Sequence, residues 1–362
     1  MNDSNRILLV GAGGVTTRSV ARALRERSVS TTLHLVGVDS DPLSLALHNG
    51  TYDAAEIVPA VSSPDYWSAI QEIVARHELS SGLIVPEREV LAWSQRVDRP
   101  VPVAIPPACF AELAGSKSDL YDALGNTSLV PEHQILPKSD LAAAIEDGRV
   151  STPTWIRPHH FSASSGLGAL RVSDAIEAAA WVTLNPSVKS WQVSAYVEGR
   201  NLAVSILFKE GKALRTAMYE RLEYFMSRVA PSGITGNISR GRLTFDPHVH
   251  QQALDAFQII GNKAGAPAHG LLTMDLLVQP DGSIAVTEIN VRPTACVGLF
   301  TAAGFDIVGD WLKLALGDSL GSPRIGRFPS GNLFFRDIDA APVWLPEGPA
   351  QTPRTLGIED PQ

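Results

Sequence analysis

One stretch limits the fold more than any other. Leu271–Asn290 reads LLTMDLLV, then Gln279-Pro280-Asp281-Gly282, then SIAVTEIN. Asp-Gly between two apolar runs is a hairpin signal, because a tight two-residue turn needs positive φ at both central positions. A turn closed over Asp281 and Gly282 sets Asp275 opposite Glu288 and Thr273 opposite Asn290. A four-residue loop makes the two acids diagonal neighbours instead. Either way both carboxylates and Asn290 share one face, since strand side chains alternate. Like charges across a strand pair are destabilising and call for a cation or a shared proton. Two carboxylates and an amide oxygen are hard ligands suited to Mg²⁺ carried with nucleotide phosphates. Arg292 follows, and its guanidinium can grip an anion bidentately. The plainer alternative is a solvated polar face with both acids unliganded.

Composition narrows the classes around that hairpin. At 362 residues, the chain has length for two or three domains. Its 44% hydrophobic and 19% charged residues are those of a globular protein. The net charge of −8, with no basic block, argues against nucleic acid as a partner. No apolar run approaches the ~18 residues needed to cross a bilayer, and the N-terminal apolar run is too short for a signal peptide. These features lead us to expect a cytoplasmic protein with no membrane partner. Cys109 and Cys296 have no metal-ligand spacing and are expected to be buried free thiols.

The first hundred residues alternate strand and helix. Ile7–Val10 reads as a strand, Val15–Arg27 as a helix, Leu33–Val38 as a strand, Tyr66–Arg76 as a helix and Gly82–Val85 as a third strand. That rhythm predicts right-handed crossovers and a parallel sheet. Gly11 and Gly13 match part of a dinucleotide fingerprint, but its last glycine position holds Thr16. The turn is read instead as a tight strand-to-helix connection whose amides face a substrate or phosphate. Pro100–Pro107 reads as a domain junction. A helical segment, Cys109–Leu124, is interrupted at Gly115-Ser116-Lys117-Ser118, with Ser118 as the cap of a helix starting at Asp119.

Taken in order, these pieces resemble the ATP-grasp superfamily, in the branch of carbamoyl-phosphate synthase large chains and biotin carboxylase. The most specific motif is Glu288-Ile289-Asn290-Val291-Arg292, and the resemblance spans about residues 6–318. It implies a mixed α/β and α+β architecture. A Rossmann-like domain would occupy 1–107 and an ATP-grasp domain 108–318, with a lid subdomain at about 150–190 and a C-terminal strand and tail over 319–362. It implies ATP and Mg²⁺ (or Mn²⁺) as cofactors, with Asp275, Glu288 and Asn290 as metal ligands and Arg292 steadying the transferred group. Lys117 matches a phosphate-contacting lysine. Arg157, in Arg157-Pro158, stands where the superfamily usually has a Lys-Pro lysine that touches the α-phosphate, so the resemblance implies a nucleotide contact there. The loop bearing Ser162, Ser164, Ser165 and Gly166 matches the phosphate lid with fewer glycines. Ala195, Tyr196 and Val197 fall at the adenine hinge, and Asn201 replaces the usual ribose-contacting acid. Glu87, Arg221 and Arg240 join Arg292 as candidate substrate contacts.

The implied activity is that of a carboxylate–amine ligase joining small molecules, with a homodimer as a common assembly. A kinase or carboxylating enzyme using a hydroxyl or bicarbonate remains an alternative. So does a nucleotide sensor without turnover.

Overall fold

The run Ile7–Val10 is buried throughout because it lies between two other strands. The computed structural model describes residues 5–27, 33–159, 168–337 and 343–346. Strand β1 (Asn5–Val10) leads through Gly11–Gly14 into α1 (Val15–Arg27). Then come β2 (Leu33–Asp39), β3 (Ala54–Ile57), α2 (Tyr66–His77), β4 (Ser81–Ile84) and α3 (Glu87–Gln95). The sheet is parallel, in the order β3-β2-β1-β4, as the alternating pattern predicts. The chain leaves β1 toward one side and later returns to β4 on the other. This is the topological switch point at which open α/β sheets bind ligands, beyond the carboxyl ends of the strands. Glu87 sits there, directly after β4.

Gly11 makes that crevice geometrically possible. Its φ is +75°, and a Cβ added there would lie 2.1 Å from the Pro86 ring. The turn departs from expectation in its amides. Gly11 and Ala12 donate to Val38 O, Gly14 donates to Gly11 O, and Gly13 donates to Asp39 Oδ2 at 2.7 Å. All four N–H groups have acceptors within the protein, so this turn is not an anion cradle.

Helices α4 (Ala108–Gly115) and α5 (Lys117–Leu124) lead to a second sheet. It contains β5 (His133–Pro137), α6 (Leu141–Glu146), β6 (Thr154–Pro158), β7 (Leu170–Val172), α7 (Ala175–Leu184) and β8 (Ser190–Ala195). The cap of α5 is Ser116 rather than Ser118: Ser116 Oγ accepts from Asp119 N, and Lys117 opens the helix. Cys109 is exposed, because the α4 phase turns Phe110, Ala111 and Ala114 inward instead. The four strands run in the order β5-β8-β6-β7. One face packs Leu136, Ile156, Val172, Trp191 and Val193 into a core of its own.

The largest sheet is mostly antiparallel. Its elements are β9 (Arg200–Lys209), β10 (Lys212–Tyr224), β11 (Ile238–Thr244), α8 (Pro247–Ala264), β12 (Gly270–Val278) and β13 (Ile284–Asn290). They are followed by α9 (Val297–Ala302), α10 (Ile307–Ala315), β14 (Arg324–Ile325), β15 (Leu333–Phe335) and β16 (Val343–Leu345). The order is β13-β12-β9-β10-β11-β15-β16, with β14 alongside β10. Helix α8 is capped by Asp246, begins with Pro247 and buries Val249, Ala253, Ala256, Phe257 and Ile260 along one stripe. Helices α9 and α10 carry the parallel sheet on the large one, through Gly298 N to Ser19 Oγ and Trp311 Nε1 to Ala104 O. Arg215, buried with Asp310, also donates to Leu320 O and Ser322 O, fastening the chain on its way to β14. Among the described residues no helix is long and apolar enough to cross a membrane.

Replacing Gly11 with Ala should cost about 1–3 kcal/mol, from positive φ and overlap with Pro86 together. Urea unfolding of the variant, compared with wild type, measures it.

Candidate active site

The hairpin closes differently from the two-residue turn, yet delivers the same pairing. Gln279 N donates to Ser283 O and Gly282 N to Gln279 O, so Pro280–Gly282 form a three-residue loop with Gly282 at φ +87°. That register pairs Val278 with Ile284 and Leu276 with Val286, one residue out of phase for the acids. A bulge at Thr287 restores the phase, and Asp275 meets Glu288 while Thr273 meets Asn290. Thr287, unpaired across the ladder, turns its hydroxyl to Asp275 O at 3.0 Å and offers its carbonyl to Arg157 Nη1 at 2.9 Å.

Each acid has its own cation. Arg221 Nη2 lies 2.6 Å from Asp275 Oδ1, and Lys117 Nζ lies 2.9 Å from Glu288 Oε2. Asn290 Nδ2 reaches Asp275 Oδ2 and Glu288 Oε1, each at 3.5 Å, so all three predicted ligands converge. Burial pushes the Asp275 carboxyl up to about 6, with Glu288 adding to the rise and Arg221 opposing it. Burial also pushes Glu288 upward, but the Lys117 ammonium outweighs it and holds Glu288 well below the usual carboxylate range. For Arg221, burial opposes the charge and Asp275 more than compensates, so the guanidinium stays protonated.

Arg221 is also the hub of a wider network. It donates to Asn201 Oδ1 at 2.7 Å and to Tyr219 OH at 3.3 Å. Tyr219 OH meets Thr294 Oγ1, and Asn201 Nδ2 donates to Tyr224 OH. Asn201 therefore spends its side chain inside the protein. Arg292 Nε pairs with Glu87 at 3.2 Å, which joins the switch-point crevice to the carboxylate face. Arg240 forms an exposed pair with Glu223 and touches none of Asp275, Glu288 or Asn290 among the described residues.

At the hinge, β8 ends at Ala195, so Tyr196 and Val197 lie beyond the strand. Ala195 N donates to Glu132 O, which leaves only its carbonyl to read a base. Tyr196 lies under the Arg171 guanidinium, 4.9 Å away, and Val197 follows, half-buried, outside any strand. Ser162, Ser164, Ser165 and Gly166 lie outside the described residues. The sequence reading missed Tyr121, whose ring carries the Arg157 guanidinium at 4.4 Å, and Gln192, which accepts from Arg157 Nε at 2.9 Å. The only sequence signal for Gln192 was a polar residue in the otherwise apolar run Trp191–Val193.

The carboxylate face fits a hard divalent cation. Two oxygen acids converge there, and in this structure ammonium and guanidinium groups neutralise them where a metal would. Among the described residues no three His, Cys, Asp or Glu side chains are grouped to hold a metal. A cation here would therefore draw on the Asn290 amide and on ligands brought by a substrate.

No family model matches this sequence, and no curated protein matches it. Solved structures do. N5-carboxyaminoimidazole ribonucleotide synthetase, solved as an ADP complex, aligns with a TM-score of 0.66 and 14% identity, over 92% of this chain and 82% of its own. L-amino acid ligase from Bacillus licheniformis aligns at 0.64 and 13%, over 92% and 80%. The biotin carboxylase domain of Hydrogenobacter thermophilus 2-oxoglutarate carboxylase aligns at 0.62 and 16%, over 91% and 74%. The chain has the fold these enzymes share, the ATP-grasp fold, as the order of its motifs predicted.

Arg221→Met should cost about 3–5 kcal/mol in urea unfolding, because Asp275 is left buried without its cation. The Asp275 carboxyl binds its proton more tightly folded than unfolded. Its stabilising contribution is thus full at low pH and lost as pH rises through about 6. Unfolding of wild type and Asp275→Asn, compared from pH 4 to 8, should show that decline in wild type alone.

Proposed function

We propose that this protein is an ATP-dependent carboxylate–amine ligase that releases ADP and phosphate. The observation that carries the reading is the single face on which Asp275, Glu288 and Asn290 meet Lys117 and Arg221, with Arg292 tied to Glu87 beside it. Phosphoryl transfer needs positioning and charge neutralisation more than covalent help, and these residues supply both.

In the first step an oxygen of a substrate carboxylate attacks the γ-phosphorus of ATP. The bond to the β–γ bridging oxygen breaks, and ADP departs with that electron pair. In the second step an amine attacks the acyl carbon, loses a proton and expels inorganic phosphate, forming an amide. Asp275, Glu288 and the Asn290 amide oxygen would hold Mg²⁺ or Mn²⁺. When bound, that cation supplies charge neutralisation for the phosphoryl oxygens. Lys117, freed from Glu288, would turn to the phosphates. Arg292, released from Glu87, would grip the substrate carboxylate, and Glu87 would face the second substrate from the switch-point crevice.

A variant of this reading has bicarbonate as the carboxylate. Two structural relatives support it: the ribonucleotide synthetase named for its carboxyamino product, and the biotin carboxylase domain solved with bicarbonate.

Incubation with Mg·ATP and a pooled amino-acid and amine library, with and without ¹³C-bicarbonate, tests both readings. ADP together with a condensed mass is expected, and label in the product identifies the bicarbonate case. ADP with a stable phosphorylated product would point to a kinase instead. Glu288→Gln should lower turnover at least 100-fold, in keeping with the loss of a charge-stabilising group. Full activity in that variant would rule out the carboxylate face as the catalytic centre.

A further inference from the structure

The small sheet turns Arg157 and Gln192 toward the large sheet, directly opposite each other on β6 and β8. Both are buried, with Arg157 8% and Gln192 2% exposed. Gln192 Oε1 accepts from Arg157 Nε at 2.9 Å. A guanidinium has no acceptor, so this bond fixes which end of the amide faces Arg157. Arg157 Nη1 is taken by Thr287 O, and the planar group rests on Tyr121. The arginine is therefore held on three sides.

The two donors that remain have nothing to bond. Arg157 Nη2 and Gln192 Nε2 are out of solvent and without a partner. Buried donors are normally satisfied, and leaving one unmade costs its full desolvation. Here there are two, on residues paired across one ladder. Among the described residues no carboxylate forms an ion pair with Arg157. Its contacts are a carbonyl, an amide oxygen and the ring and hydroxyl of Tyr121. A buried cation in that state calls for an anion rather than a neutral base edge. The amide also explains itself on this view. A glutamate at 192 would anchor Arg157 equally well but cancel its charge, whereas glutamine anchors it, keeps the charge and adds a donor.

We propose that Gln192 is a nucleotide-binding residue: its Nε2 joins Arg157 Nη2, which stands at the phosphate-contacting position the resemblance implies, in receiving a phosphate oxygen of the bound nucleotide. Gln192 is then both a nucleotide-binding residue and the positioning residue for Arg157. The inference rests on the ATP reading above, but not on the identity of the carboxylate or the amine. It gives the Arg-for-Lys exchange a physical content. A lysine would present a mobile point charge, whereas here a rigid fork offers one free edge and the neighbouring amide completes it. The Thr287 contact ties this fork to β13 one residue before Glu288, so the phosphate donors are anchored to the strand that carries the metal-facing acid.

The test is a binding experiment with adenosine, AMP and ADP on wild type, Gln192→Leu, Gln192→Glu and Arg157→Lys, with calorimetry as the readout and thermal unfolding as the control. Gln192→Leu should weaken ADP about 10- to 100-fold, as expected for a hydrogen bond to a charged group. Adenosine affinity should stay within about twofold. Gln192→Glu keeps the acceptor for Arg157 Nε and the side-chain shape, so it serves if the leucine variant fails to fold. It should weaken ADP more than leucine does, because it neutralises Arg157. Equal losses for adenosine and ADP would overturn the proposal in favour of base contact or simple packing, as would wild-type ADP affinity in Gln192→Glu. Binding is read without any acceptor substrate, so a failed search for a condensed product leaves this result standing. Failure of wild type to bind ADP would overturn both readings.

Discussion

Two carboxylates that face each other across a strand pair, mostly shielded from water, require positive charge nearby. Asp275 and Glu288 obtain it separately, one from β10 and one from the first turn of α5. The rest of the site is arranged to keep those cations in place. Tyr219, Asn201 and Asp275 fix the Arg221 guanidinium in the large sheet, and the Ser116 cap fixes the helix end that carries Lys117. The two acids are not equivalent as a result. The buried one, beside a guanidinium already engaged elsewhere, keeps a proton to higher pH, while the one beside lysine stays ionised. An incoming cation would meet a face whose charge is already balanced by Arg221 and Lys117.

The site is assembled from all three sheets. The large sheet supplies the acids, Asn290 and Arg221. The small sheet supplies Arg157 and Gln192, and reaches across to Thr287. The parallel sheet supplies Glu87 at its switch point, joined to Arg292. Because α9 and α10 pack against α1 and β4 as well as the large sheet, the Glu87–Arg292 contact sits on a firm base rather than on a loose domain boundary.

Much of this was legible in the sequence, for physical reasons. The hairpin could be read from Leu271–Asn290 alone, and its acidic face agrees with period-two alternation because the three-residue loop and the Thr287 bulge offset each other. The parallel sheet followed from short apolar runs spaced by helical stripes. What could not be read depends on contacts between distant residues. The Arg221–Asp275 pair could not be read, because nothing local says that β9 lies between β10 and β12 and brings Arg221 within reach of Asp275. Gln192 showed only as a polar residue between apolar ones, because its partner Arg157 lies across a ladder. Cys109 turned outward because helix phase, not residue type, decides burial at α4. The glycine turn does not present its amides to a ligand because Asp39 satisfies Gly13 and main-chain carbonyls satisfy the others.

The Thr287 bulge carries a constraint on how such a chain can change. The loop over Pro280–Gly282 and the bulge each displace the strand by one position, and only together do they leave Asp275 facing Glu288. Deleting a loop residue alone, or straightening the bulge alone, would rotate one acid to the opposite side of the sheet. Insertions and deletions in this hairpin must therefore come in compensating pairs, and the length of a surface turn is inherited jointly with an irregularity several residues away inside the sheet.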